Sequence, residues 1–198
     1  MFCIFLQKTF VVVDAKFHDN QSSDKTSEYI ITKGTLTKTY VQDEYIQLSG
    51  NAKSFNACSP VTLSTSDNWS IEADIQQTNL SNLLFIGYIL QSANTPSNYI
   101  SFLIYSNETA SYGYGSPNTY LFRDSSLTGT VNTWYHMKWE CNNGELHYLV
   151  YDMNNTLLFD KTITLPSVYT NINVSPSFVR YSDDGQTMKI RNVIVKTL

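Results

Sequence analysis

From Tyr135 to Cys141, apolar and polar residues alternate without a break. Tyr135, Met137, Trp139 and Cys141 fall on one side, and Trp134, His136, Lys138 and Glu140 on the other. A two-residue period of this length marks a β-strand with one buried face. Asn142-Asn143-Gly144 follows, with residues that accept the positive φ of a tight hairpin turn. Glu145 to Asp152 is apolar on both faces, which places the next strand inside a two-layer structure. Met153-Asn154-Asn155-Thr156 turns the chain again into Leu157-Leu158-Phe159. Thr133 to Lys161 therefore predicts three antiparallel strands, and any fold for this chain must accommodate them.

The remainder reads in the same way. Thr9 to Asp14 is a β-branched run expected to be a first strand, and Asp19 to Ser27 is polar and loop-like. Short strands are predicted at Tyr29 to Thr32, Thr35 to Val41, Tyr45 to Leu48 and Val61 to Leu63, with a turn at Lys33-Gly34. Trp69 to Ile75 alternates, with Ser70, Glu72, Asp74 and Gln76 on its polar side. Leu83 to Leu90, Tyr99 to Tyr105 and Tyr120 to Phe122 are further strands. Ser111 to Pro117 reads as a glycine-rich, aromatic-tipped loop. Ser177 to Tyr181 and Met188 to Val195 close the chain around an Asp183-Asp184-Gly185 turn. No stretch carries a sustained helical period with caps. Many short, evenly spaced strands predict an all-β, two-sheet antiparallel jelly-roll sandwich. With no linker or repeat, residues 1–198 are expected to form one domain.

Composition narrows the function classes. An apolar fraction of 42% is enough for a substantial core. Abundant tyrosine, serine, threonine and asparagine with only 15% charged residues suits half-exposed pleated surfaces and polar turns, a mix common in extracellular and virion proteins. Net charge is −4 and the basic residues are scattered, which argues against a nucleic-acid partner. Cys3, Cys58 and Cys141 are widely spaced and contain no Cys-x-x-Cys pair, so neither a zinc site nor a disulfide framework is indicated. The apolar start, Met1 to Lys8, is too short to span a bilayer and lacks the parts of a signal peptide, so no membrane insertion is expected. That start suits a chain exported with something else, or one module of a longer polypeptide.

Three segments together resemble the concanavalin A-like, laminin-G-like jelly-roll superfamily. They are Asn68-Trp69-Ser70-Ile71-Glu72-Ala73-Asp74-Ile75, the strand Asn132 to Lys138 with its glycine turn and Tyr148-Leu149-Val150-Tyr151-Asp152, and Met188 to Val195. The resemblance implies two curved sheets packed face to face. It also implies glycan binding on the concave sheet or its rim loops, as in carbohydrate-binding modules, phage tail appendages and microbial adhesins. The expected partners are therefore a glycan or cell-surface polysaccharide and other protein modules of the same assembly, at an extracellular, cell-surface or virion location. A structural or protein-interaction sandwich is the alternative.

A laminarinase-type glycoside hydrolase or lyase is the third reading. Such enzymes carry Glu-x-Asp-x-x-Glu, and Glu72 and Asp74 match its first two carboxylates. The third position is Gln77, an amide that can neither protonate a leaving group nor act as a base. The expectation is a non-enzyme, with Glu72 and Asp74 on a solvated strand face. His136 and His147 read as a surface pair across the hairpin. Related modules hold a structural calcium near their opening loop, which makes Asp19, beside Asn20 and Asp24, the candidate ligand. The closing strand supplies Arg191-Asn192 where such a site needs a carboxylate. The ligand-binding candidates are Tyr112 and Tyr114 on the predicted loop, with Tyr99, Tyr105 and Tyr120. Tyrosine rings offer broad contact to sugar faces at low entropic cost. Trp139 belongs to the same aromatic set, although its alternation with Met137 and Cys141 assigns it to the core.

Overall fold

The computed structural model describes residues 15–33, 35, 37–50, 54–58, 61–78, 88–92, 99–114, 119–170, 173–180 and 187–198. Its strands are β1 (Ala15–Asp19), β2 (Tyr29–Lys33), β3 (Thr37–Val41), β4 (Tyr45–Ser49), β5 (Ser54–Cys58), β6 (Leu63–Ser64), β7 (Trp69–Gln77), β8 (Tyr88–Ser92), β9 (Tyr99–Ile104), β10 (Thr109–Tyr114), β11 (Thr119–Asp124), β12 (Trp134–Asn142), β13 (Glu145–Tyr151), β14 (Leu157–Thr164), β15 (Asn173–Arg180) and β16 (Thr187–Thr197). Single 3-10 turns occupy Thr26–Glu28 and Ser167–Tyr169. Every pairing is antiparallel. Sheet A runs β14-β13-β12-β7-β16-β4-β3, with β1 also paired to β16; sheet B runs β11-β10-β9-β8-β15-β5-β2, with β6 also paired to β15.

The predicted meander is present. Asn142 faces Glu145 in the ladder, and Asn143 and Gly144 form the two-residue turn between them, both at positive φ. At the next turn the Asp152 carboxylate accepts the N–H groups of Asn154 and Thr156 at 2.8 Å, and Asn155 takes positive φ. β13 is buried on both faces along Tyr148, Leu149 and Val150. The strand reading at Thr9 to Asp14, part of that at Leu83 to Leu90, and the Asp183-Asp184-Gly185 turn lie outside the described residues. β5 is a strand that the sequence pattern did not indicate.

One apolar cluster lies between the sheets. Trp69, Ile71, Ala73 and Ile75 of β7 and Met137, Trp139 and Cys141 of β12 meet Ile100, Phe102 and Ile104 of β9, with Phe122 and Phe178. Trp139 stacks on Tyr148 at 5.4 Å, and the edge of Phe102 meets Tyr148 at 5.0 Å. Such pairs contribute about 0.5–1.5 kcal/mol each beyond their burial. The buried Tyr148 hydroxyl is bonded across the sandwich to Ser111 Oγ at 3.0 Å, so its polar atom is not stranded.

β16 is the structural seam. Met188 and Ile190 point inward, and so do Val193 and Val195, a change of phase within one strand. A bulge absorbs it: Arg191 faces Asp74 and Ile194 faces Glu72, so Asn192 and Val193 together oppose Ala73 alone. Asn192, at φ 52°, is the extra residue. Its backbone N–H donates to Gln21 Oε1 at 2.9 Å and its Nδ2 to Asp74 Oδ2 at 2.8 Å. Asn192→Val is expected to destabilise the fold by about 2–3 kcal/mol in urea titration, from left-handed strain plus a lost hydrogen bond. Asn192→Gly is expected to cost only about 1 kcal/mol, from the hydrogen bond alone. Equal losses would contradict this account of the bulge.

Candidate functional site

The tyrosines singled out from the sequence share neighbouring positions of one sheet. In the ladder Tyr112 faces Ser101 on one side and Tyr120 on the other, across a bulge between Ser111 and Tyr112. Ser111 bonds Tyr148 in the core, so alternation sends Tyr112 to the outer face of sheet B. Tyr120 is 44% exposed and Tyr112 is half-buried; their rings meet edge to face at 5.1 Å. The Arg123 guanidinium lies 4.8 Å from the Tyr120 ring centre. Its Nε and Nη2 donate to the two Glu108 oxygens at 2.8 Å each, a fork that fixes the plane of the cation. The Glu108 hydrogen bonds and charge also raise the Arg123 pKa.

Other members of the set have different surroundings. Tyr105 is only 8% exposed and packs with Leu103 and Ala110 in a small cluster apart from the main core. Tyr114 pairs with Tyr99 in the ladder; the side chains of both lie outside the described residues. Trp139 is fully buried, as its alternation indicates.

The loop expected at Ser111 to Pro117 is corrected in part: Ser111 to Tyr114 belong to β10, and residues 115–118 lie outside the described residues. Gly113 explains the difference. A Cβ there would collide with the Tyr169 hydroxyl, so this glycine admits a close-packed ring and is not a hinge. Tyr112 is therefore presented by a paired strand.

Glu72 and Asp74 do project from the same face of β7, but the expectation of a solvated face is corrected. Glu72 lies 3.8 Å from Lys138 Nζ and 3.4 Å from Lys196 Nζ. Asp74 is buried; its Oδ1 is 2.8 Å from His136 Nδ1, and its Oδ2 accepts Arg191 Nε at 3.1 Å and Asn192 Nδ2. Burial alone would raise the Asp74 pKa. Hydrogen bonds from His136 and Asn192, with the charge of Arg191, outweigh it and hold the carboxyl below its ordinary range. β7 is central in sheet A, so β12 and β16 cover its polar side from both flanks. Gln77 is buried one position beyond Gln76, on the opposite face from Asp74.

The two histidines do not pair. His147 faces Glu140, while His136 faces Tyr151, and each has its own aspartate: His147 Nε2 is 2.7 Å from Asp160. Asp19 is fully buried and anchors the opening segment, accepting the Gln21 N–H at 2.9 Å and the Tyr29 hydroxyl at 2.8 Å. Asn20 and Asp24 turn to the N–H groups of Ser22 and Thr26. Among the described residues no three His, Cys, Asp or Glu side chains gather as a metal set. The sequence reading missed Arg123, whose place opposite Ala110 follows only from the pairing of β10 with β11.

No family model matches the sequence, and no curated protein sequence does. Solved structures match over most of their length. The carbohydrate binding module CBM66 from Bacillus subtilis superposes with a TM-score of 0.63 at 13% identity, covering 85% of this chain and 95% of that one. Peanut lectin gives 0.63 at 10% identity, covering 92% and 96%. The CBM2 module of the evolved Dit of Lactobacillus casei BL23 phage J-1 gives 0.64 at 9% identity, covering 92% and 94%. The chain has the concanavalin A-like jelly-roll fold.

Asp74 generates a pH-resolved expectation. Its folded pKa lies below the ordinary 3.8, so its stabilisation is complete above that value and is lost as pH falls through the lower folded pKa. Asp74→Asn is expected to destabilise by about 2–3 kcal/mol at neutral pH, the scale of charge-assisted hydrogen bonds. The gap from wild type should close below pH 3.8, read by denaturant midpoints. A gap that stays constant down the acid limb would refute the assignment.

Proposed function

We propose that this chain is a non-catalytic carbohydrate-binding module that uses the outer face of sheet B. The observation that carries the reading is the Tyr112–Tyr120 pair, backed by the Arg123–Glu108 fork and held on adjacent paired strands. Pyranose rings present C–H faces that pack on aromatic rings, while their hydroxyls need donors and acceptors of fixed direction. Tyr120 offers exposed ring, Tyr112 buttresses it, and Arg123 and Glu108 supply polar groups at its margin. Tyr105 packs with Leu103 and Ala110 beside these strands, and positions 99 and 114 pair further along the same ladder.

One similar solved structure is a carbohydrate binding module and another is a lectin, which supports this class of ligand. The module from a phage protein supports a setting in a phage tail or adhesin, at an extracellular, cell-surface or virion location beside other protein modules. Residues 1–198 are taken as one binding domain. No helix among the described residues is long and apolar enough to cross a membrane.

A glycan array followed by titration of the best ligand tests the proposal. Tyr120→Ala is expected to weaken binding about tenfold, or about 1.4 kcal/mol, with little change in melting temperature. Tyr112→Ala is expected to weaken it similarly, through loss of the buttress. Undiminished affinity in both variants would remove sheet B from the reading, and an array without hits would remove carbohydrate.

A further inference from the structure

We infer that the outer face of sheet A holds a second site, for an anionic saccharide. Its sugar ring packs against Trp134 and Tyr45, and its carboxylate or sulfate is taken by Lys189 and Arg191. Trp134 belongs to β12 and Tyr45 to β4, with β7 and β16 between them in the sheet. Three strand spacings amount to about 14 Å. The ring centres are nevertheless 6.3 Å apart. The two side chains therefore lean toward each other over the intervening strands. Each ring also carries a cation: Lys189 Nζ is 4.3 Å from the Tyr45 centre, and the Arg191 guanidinium is 4.2 Å from that of Trp134. All four side chains are half-buried, so they are both packed and accessible.

The charge arrangement points to the ligand class. Lys138 and Lys196, elsewhere on this face, are matched to Glu72 and Glu140. Lys189 has no carboxylate among the described residues; an aromatic ring lies under its ammonium instead. Arg191 gives Nε to Asp74 and one Nη2 hydrogen to Met153 Sδ at 3.5 Å, a weak contact. A guanidinium has five N–H donors, so most of its fork remains available. Two cations stand against one carboxylate, and Asp74 is turned to the sheet and already bonded to His136 and Asn192. A neutral sugar would use the rings and leave both cations idle. An acidic sugar uses all four groups at once. The site lies on the opposite sheet from Tyr112 and Tyr120 and does not rest on the reading given for them.

Of the three tryptophans, Trp69 and Trp139 are fully buried and Trp134 is not, which supplies a readout in the unaltered chain. The whole chain would be titrated at low ionic strength with trigalacturonate, a sulfated carrageenan tetrasaccharide, and the methyl-esterified and desulfated counterparts. Tryptophan emission and its quenching by acrylamide would be followed. At least one acidic oligosaccharide is expected to bind and shield Trp134, about tenfold more tightly than its neutral counterpart. Which acid binds separates carboxylate from sulfate. Lys189→Gln is expected to abolish that tenfold preference while Tyr120→Ala leaves it intact. The inference is overturned if neither acid binds, if neutral and acidic forms bind equally, or if the preference survives Lys189→Gln. If Lys189→Gln lowers the melting temperature, the quenching comparison in the unaltered chain decides.

Discussion

A carboxylate within the outer layer of sheet A ties the seam of this sandwich together. Asp74 lies on β7 and receives His136 from β12 and both Arg191 and Asn192 from β16. The side-chain amide of Asn192 is thereby fixed at the residue that takes left-handed backbone, and its N–H reaches Gln21. Gln21 is in turn fixed by Asp19, which holds Tyr29 in the first strand of sheet B. A run of hydrogen bonds thus leads from the polar face of sheet A, around its edge, to the aromatic core at Phe17, Tyr29 and Phe178. Losing the bulge would turn Val193 and Val195 outward and bring Ile194 and Lys196 in. A one-residue slip exchanges every side chain of a strand between its faces. The phase of β16, and with it the closure of sheet A on β1 and β4, depends on one asparagine and its carboxylate partner.

The two outer faces solve different problems. On sheet A, charges are cross-linked over β16, β7 and β12: Lys196 to Glu72 to Lys138 to Glu140, with His147 following. Exposed ion pairs contribute little each, about 0–1 kcal/mol. A lattice of them still gives a central strand a polar exterior without stranded charge. On sheet B the corresponding layer is tyrosine, serine and alanine. Ser101 and Ala110 are buried there although they belong to the outer face. Large neighbours cover small ones, and among the described residues of β9, β10 and β11 the result is a largely apolar surface with an arginine–glutamate fork at its margin.

Much of this was legible from alternation. The period of Trp134 to Cys141 places Trp139 inside and Trp134 outside, and the Asn-Gly turn sets the register of the hairpin. The limits of sequence reading were physical. Alternation assigns a residue to a face but not to an environment: it put Asp74 outside correctly and solvated it wrongly, because only the sheet order shows that β7 is flanked on both sides. Gly113 reads as flexibility until Tyr169 is seen against it, 56 positions away in the chain. The phase change in Met188 to Val195 is visible as apolar residues at 188, 190, 193 and 195. It carries meaning only once the partner strand shows two residues opposing one. Tyr45 and Trp134 are 89 positions apart, and no local pattern brings them together.

The back-to-back arrangement has a geometric consequence. Packed sheets are about 10 Å apart, and their outer faces point in opposite directions. A flat surface can meet the Tyr112–Tyr120 face or the Trp134–Tyr45 face, but not both. Binding at one would leave the other directed away from that surface, so the two faces cannot raise each other's affinity for one rigid plane. They differ in salt response as well. The sheet B face carries an arginine already neutralised by Glu108, whereas the sheet A cluster has a cation in excess of its carboxylates. Screening acts on the second far more than on the first. If both faces bind as proposed, ionic strength sets the balance between them, with the aromatic contact of sheet B persisting where the charged contact of sheet A has faded.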